Sequence, residues 1–174
     1  IAFDMALFKN LPRIQKRHWP HILSVNVNPI SLVDEKFITF LCHLLNSKKV
    51  DPSKLCIEVV ESGSLPHLTK QSHACLQTFK SLGGQIALDD FGTGSTHWDL
   101  IHNNLVDIIK VAAHKHKGNH KYQVLKALSG FSSLLELKTV FEGIENNEDL
   151  LKAKELGATH FQGWHFDQWK LSAY

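Results

Sequence analysis

The sequence predicts an α/β fold of the (β/α)8-barrel type, and three observations carry that prediction. Six short apolar runs alternate with longer segments whose apolar residues recur every three or four positions. The runs are too continuously apolar for either face to be wet, as in parallel strands covered by helices. Each run also places an ionisable or amide residue at or near its C-terminal end. In a barrel those ends gather at one mouth, whereas an open doubly wound sheet would concentrate them at a single switch point.

The elements follow in order. The chain opens on a helical pattern, IAFDMALFKNL, and the first strand is read in ILSVNVN (22–28). Phe37, Phe40, Leu41, Leu44 and Leu45 form the apolar face of the next helix. LCIEVVE (55–61) is the second strand, and Pro66 suits the first turn of the helix after it. Leu76, Phe79 and Leu82 face the core from that helix, and Gly83-Gly84 stand where its C-cap belongs. QIALDD (85–90), VDIIKVA (106–112) and LKTVFEG (137–143) are the third to fifth strands. Asn147 is read as the cap of a helix beginning with Glu148 and Asp149, Gly157 closes it, and THFQGW (159–164) is the sixth strand. Six units fall two short of eight, and 174 residues fall below the ~250 typical of the fold. The expectation is one domain over residues 1–174, a TIM-like barrel that is N-terminally incomplete, its first one or two units lying upstream of Ile1.

Composition bounds the function. The chain is 43% hydrophobic and 21% charged, with a net charge of +2, too small for a nucleic-acid polymer or a membrane surface as partner. No apolar stretch approaches the ~20 residues that span a bilayer. Cys42, Cys56 and Cys75 are odd in number and widely spaced, which reads as three reduced core thiols and a cytoplasmic setting.

The strand ends carry the chemistry. Glu58, Asp89, Asp90 and Glu142 bring four carboxylates to the rim, with the amides of Asn26 and Gln162 beside them. Oxygen-only donors suit Mg²⁺ or Mn²⁺ rather than zinc or copper. Asp89 and Asp90 repel each other at the end of a buried strand, and a divalent cation relieves that repulsion. Neighbouring strand residues point to opposite faces, so both aspartates face the mouth only if the chain turns after Asp89. Two ions about 3.5–4 Å apart would form the usual clamp for attack of water on a phosphodiester. Lys110, inside the apolar run VDIIKVAA, needs a charged partner; near such a site it would hold phosphate charge or accept a proton with a lowered pKa.

Each piece also has a plainer reading. A lone Asp-Asp pair after a strand is more often a cap and a solvated turn, and Glu58 and Glu61 could be a surface pair. Asn26 and Asn28 share a strand face, and one of them could simply end the strand before Pro29. The joint occurrence at six strand ends outweighs any of these. Other motifs fail: GTGSTH from Gly92 is no dinucleotide fingerprint, since two aspartates precede it. His114, His116 and His120, interleaved with Lys115, Lys117 and Lys121, read as a solvated turn. Ser62 and Ser64 show no nucleophile elbow.

From about Leu23 to Phe166 the chain resembles the EAL domain family, cyclic-di-GMP phosphodiesterases on a (β/α)8 barrel. SVNVNP looks like its asparagine strand, IEVVES like its E-x-x-E strand and ALDDFGTG like its most specific signature. VDIIKV, FEGIEN and GATHFQGWHF resemble its lysine, E-G-V-E and closing glutamine segments. The resemblance implies that Asn26, Glu58 and Asp89 hold a first Mg²⁺ or Mn²⁺, and that Asp89, Asp90 and Glu142 hold a second. It implies Lys110 near the attacking water, Lys110 or Glu142 assisting proton removal, Glu61 steadying the Gly92–Gly94 loop, and Gln162 and Asn28 lining the substrate site. The implied reaction is hydrolysis of cyclic di-GMP to linear pGpG, with a homodimer and an upstream sensory or cyclase domain as candidate partners. The departures point to an alternative, a degenerate domain that binds the nucleotide or a protein without cleaving. The glutamate of the E-A-L motif lies in a strand this sequence does not contain, and Lys110-Val111-Ala112 stands where the family has Lys-x-Asp. The loop after Gly94 reads STHW where the family has a Tyr-Ser-Ser run, and Trp164 stands for a tyrosine.

Overall fold

Each of the six apolar runs forms a strand, and the strands pair in parallel in chain order from β1 to β6. The computed structural model describes residues 1–16, 21–60, 67–94 and 97–166. Helix α1 (Ala2–Lys16) precedes β1 (Leu23–Val27), and α2 (Glu35–Asn46) leads to β2 (Leu55–Val60). Then come α3 (Lys70–Ser81), β3 (Gln85–Asp89), α4 (Trp98–His102) and β4 (Ile108–Ala112). Helix α5 (Lys121–Leu134), β5 (Lys138–Glu142), α6 (Asn147–Glu155) and β6 (His160–Gln162) complete the order. Short 3-10 turns lie at Pro29–Val33 and Pro52–Lys54. This is the wall of a TIM-like barrel, of which the chain forms part; among the described residues β1 and β6 do not pair with each other.

Strand alternation sorts the side chains into two faces. Val25, Val27, Ile57, Val59, Ile86, Leu88, Ile109, Val111 and Phe141 point outward, under the helices, and all are buried. Burying each large one contributes about 1.5–3 kcal/mol. Leu41, Leu44 and Leu45 from α2 and Leu76 and Phe79 from α3 meet this face, and Phe8 of α1 packs edge-on against Phe37 with ring centroids 5.4 Å apart.

Two local expectations shift by one residue. The cap of α6 is Asn146, whose side chain accepts from the Asp149 N–H, while Asn147 is the first helical residue. Two consecutive asparagines before acidic residues offer the same chemistry, and the one in extended backbone takes the cap. Leu82 lies past the end of α3 as its C-cap, exposed rather than facing the core. Gly83 follows with φ +90°, and the ring of Phe79 lies where a side chain on Gly84 would sit. Pro66, Ser62 and Ser64 lie outside the described residues. No described helix is long and apolar enough to cross a membrane.

Candidate active site

The register of the sheet places the polar residues on its inner face and explains how they meet. Asn26 pairs with Glu58, Glu58 with Ala87 and Ala87 with Ile108, so these four share a level. Asp89 and Lys110 stand two residues further along their strands, on the same face, and Lys110 pairs with Val140. Glu142 is two further still, level with Ala112 and Gln162. Each step of two keeps the side chain pointing inward and climbs with the stagger that closing a sheet into a barrel requires.

Lys110 is the hub. Its Nζ lies 2.7 Å from Glu142 Oε1, 2.9 Å from Glu58 Oε2 and 3.5 Å from Asp89 Oδ1, so one ammonium serves carboxylates from three other strands. The side chain is 7% exposed. Burial alone would lower its pKa, but the hydrogen-bonded Glu142 and Glu58 carboxylates more than offset that and hold it above the ordinary lysine value. The expectation of a lowered Lys110 pKa is thereby corrected: three acids around one buried amine keep its proton in place. Asp89 is perturbed upward by burial, against the pull of Lys110, with the carboxylates of Glu142, Glu58 and Asp90 adding to the rise.

The turn that the aspartate pair demands is present. Asp89 is the last residue of β3, and Asp90 has φ +57°, the left-handed region. That reversal places ligand atoms of Asp89, Asp90 and Glu142 within 4.8 Å of one another. Thr93 donates its N–H and hydroxyl to the Asp90 carbonyl, and the Phe91 N–H bonds to the Lys110 carbonyl at 2.9 Å. Gly92 has φ +85°, the left-handed region that favours glycine, and a Cβ there would lie 2.9 Å from Leu128 Cδ1 of α5, whose side chain would have to shift.

The remaining predicted residues are placed less centrally. Asn26 is exposed on the inner face beside Glu58. The Asn28 side chain accepts from the Ile30 N–H and caps the following 3-10 turn, while its own N–H bonds to Asp4. Gln162 ends β6, with Glu142 as its register partner. Glu61 lies outside the described residues.

Three contributors went unread in the sequence. Lys115, in the turn expected to be solvated, reaches Asp90 Oδ2 at 2.5 Å although its side chain is 46% exposed. His97, 2% exposed, bonds through Nε2 to the Val60 carbonyl and ties the end of β2 to the loop after the aspartates. Asp4, buried in α1, accepts from the Asn28 N–H and the Ser31 hydroxyl and pins the loop beyond β1. The spacing of Asp4 from residue 1 marks it only as an acid in a first helical turn.

The donor set fits a divalent cation. Three carboxylates converge on one point, a fourth carboxylate and an amide flank them, and oxygen is the only donor type. A profile of the EAL domain family matches residues 2–168. The chain belongs to the EAL domain family. This EAL domain is 30% identical over 151 residues to cyclic di-GMP phosphodiesterase PdeA of Borreliella burgdorferi, an alignment covering 83% of the chain. It spans only 22% of PdeA's length. An EAL domain protein from Listeria monocytogenes shares the fold at 22% identity and a TM-score of 0.76, over 98% of this chain and 71% of that one. The manganese and cyclic di-GMP complex of BlrP1 from Klebsiella pneumoniae matches at 25% identity and a TM-score of 0.69, over 93% of this chain and 42% of that one.

Proposed function

We propose that this EAL domain hydrolyses cyclic di-GMP to linear pGpG with Mg²⁺ or Mn²⁺ held at its rim. The observation that carries the reading is the joint placement of Glu58, Asp89 and Glu142 around Lys110, with Asp90 converging on Asp89 and Glu142, in a family whose relative PdeA is named for this activity. Divalent ions, when bound, supply the positive charge that acidifies an attacking water and steadies the phosphoryl oxygens. Asn26, Glu58 and Asp89 would hold one ion, and Asp89, Asp90 and Glu142 the other. Lys110 offers a positive charge to the phosphate while protonated. Lys110 or Glu142 assists removal of the proton that water loses. Gln162 and Asn28 present amides to the nucleotide. A cytoplasmic location, a homodimer and an upstream sensory or cyclase domain belong to the same proposal.

The test is conversion of cyclic di-GMP to pGpG by the purified protein with Mg²⁺ or Mn²⁺, abolished by Asp89→Asn. Absence of turnover with both metals, at protein well above nucleotide, would refute it. One observation favours a second reading, binding without cleavage. Ala112 is fully buried at the level of Glu142 and Gln162, where the family pattern has an acid. Heat released on nucleotide binding without any pGpG would decide for the binder.

A further inference from the structure

The turn after β4 brings a second cation to the rim. The Lys115 N–H closes that turn on the Ala112 carbonyl at 2.9 Å, and the side chain then reaches back to Asp90 Oδ2. Asp90 is one of the three residues whose ligand atoms converge within 4.8 Å, and the Lys115 charge also acts on the other two, Asp89 and Glu142. Those two are already served by Lys110. Around the rim, four carboxylates therefore face two ammonium groups among the described residues, which leaves two negative charges. One divalent cation balances that remainder; two would overshoot it.

Building on the metal site of the proposed function, we infer that Lys115 is a built-in competitor for the second cation: an ion at Asp89, Asp90 and Glu142 binds only as the Lys115 ammonium withdraws from Asp90. The side chain is suited to withdrawal. It is half exposed, on a flexible four-carbon stem, and the charge it leaves behind is taken over by the arriving ion. Lys110 is not suited, being buried and held by three partners. The second ion thus binds only at higher concentration than the first, so occupancy of the pair follows the supply of free divalent ion. Ala112, level with Glu142, adds no carboxylate to the rim, and Lys115 three residues later adds a positive charge to it.

Titration calorimetry of the purified protein with Mn²⁺, with the electron spin resonance of the bound ion as a second readout, tests this without any turnover. The wild-type protein should bind one Mn²⁺ and then a second at least about tenfold more weakly. Lys115→Met should tighten the second step about tenfold and leave the first unchanged. Lys117→Met, which removes the same formal charge two residues along the turn, should change neither step. On an Asp90→Asn background only one ion should bind, and adding Lys115→Met should then have no effect. Two equal wild-type steps, or a Lys115→Met protein that binds as wild type does, would overturn the inference and leave the metal site standing. No binding to any of these proteins would overturn both.

Discussion

Ile57 and Glu58 are neighbours in the chain and opposites in the molecule. Ile57 points out under the helices and is fully buried among apolar side chains, whereas Glu58 points in and meets Lys110 at 2.9 Å. Phe141 and Glu142 repeat the contrast on β5. One strand thus carries two separable tasks: its outer face supplies the burial that holds the sheet, and its inner face carries charges that oppose one another. The difference teaches that substitutions a single residue apart should move different quantities.

The largest effect expected is on the inner face. Asp89→Asn should lower kcat at least about a thousandfold, roughly 4 kcal/mol of barrier, while the thermal midpoint of the metal-free protein stays within a few degrees. A matched loss of stability and turnover would erase the distinction between the faces. Next comes Lys110→Met, which leaves Glu58, Asp89 and Glu142 facing one another without their shared cation. Removing one partner of a buried ion pair is destabilising by about 3–5 kcal/mol, so denaturant melts of the metal-free protein should show a loss of that size, partly restored by Mn²⁺.

The same lysine gives a pH signature. Its pKa in the folded chain lies above the ordinary 10.5, so its stabilisation is fully present below that value and is lost as pH rises through the folded pKa. Alkaline melts of the wild-type protein should fall in that window, and those of Lys110→Met should lack the step.

On the outer face, Ile57→Ala should lower stability by about 2–5 kcal/mol with turnover per folded molecule near wild type. A collapse of turnover in protein shown to be folded would mean that outer packing sets the inner geometry. The smallest effect concerns the reversal between faces. Asp90→Leu should destabilise by about 1–2 kcal/mol because a bulky residue resists the left-handed region, while Asp90→Asn should melt as the wild type does.

Much of this was legible in the chain. All six strands were, because each is an apolar run between helices that show their periodicity, but the expectation that neither face is wet fails at β1, where Ser24 and Asn26 are exposed, and at β6, where His160 and Gln162 are. The inner-face residues were legible for a related reason: Glu58, Lys110 and Glu142 are charged groups inside such runs, and a buried charge needs a partner. The turn at Asp90 followed from alternation once both aspartates were required to face the mouth. Lys115 was hidden because the path of its loop depends on tertiary packing, and a lysine among histidines looks like any solvated turn. The proton state of Lys110 was misread for a similar cause. Burial lowers a lysine's pKa, and only the convergence of three other strands shows how many acids reverse it. His97 and Asp4 act on backbone groups distant in sequence, and spacing does not encode such contacts.

The bend at Asp90 has an evolutionary consequence. Left-handed backbone is readily adopted by glycine, asparagine and aspartate and resisted by most other residues. Of those three only aspartate carries charge, and its asparagine counterpart keeps both the shape and the curvature. A lineage can therefore remove the charge at this position by the mildest of replacements while the scaffold survives, so under the proposed function a domain that binds the nucleotide without cleaving it lies within one mutational step.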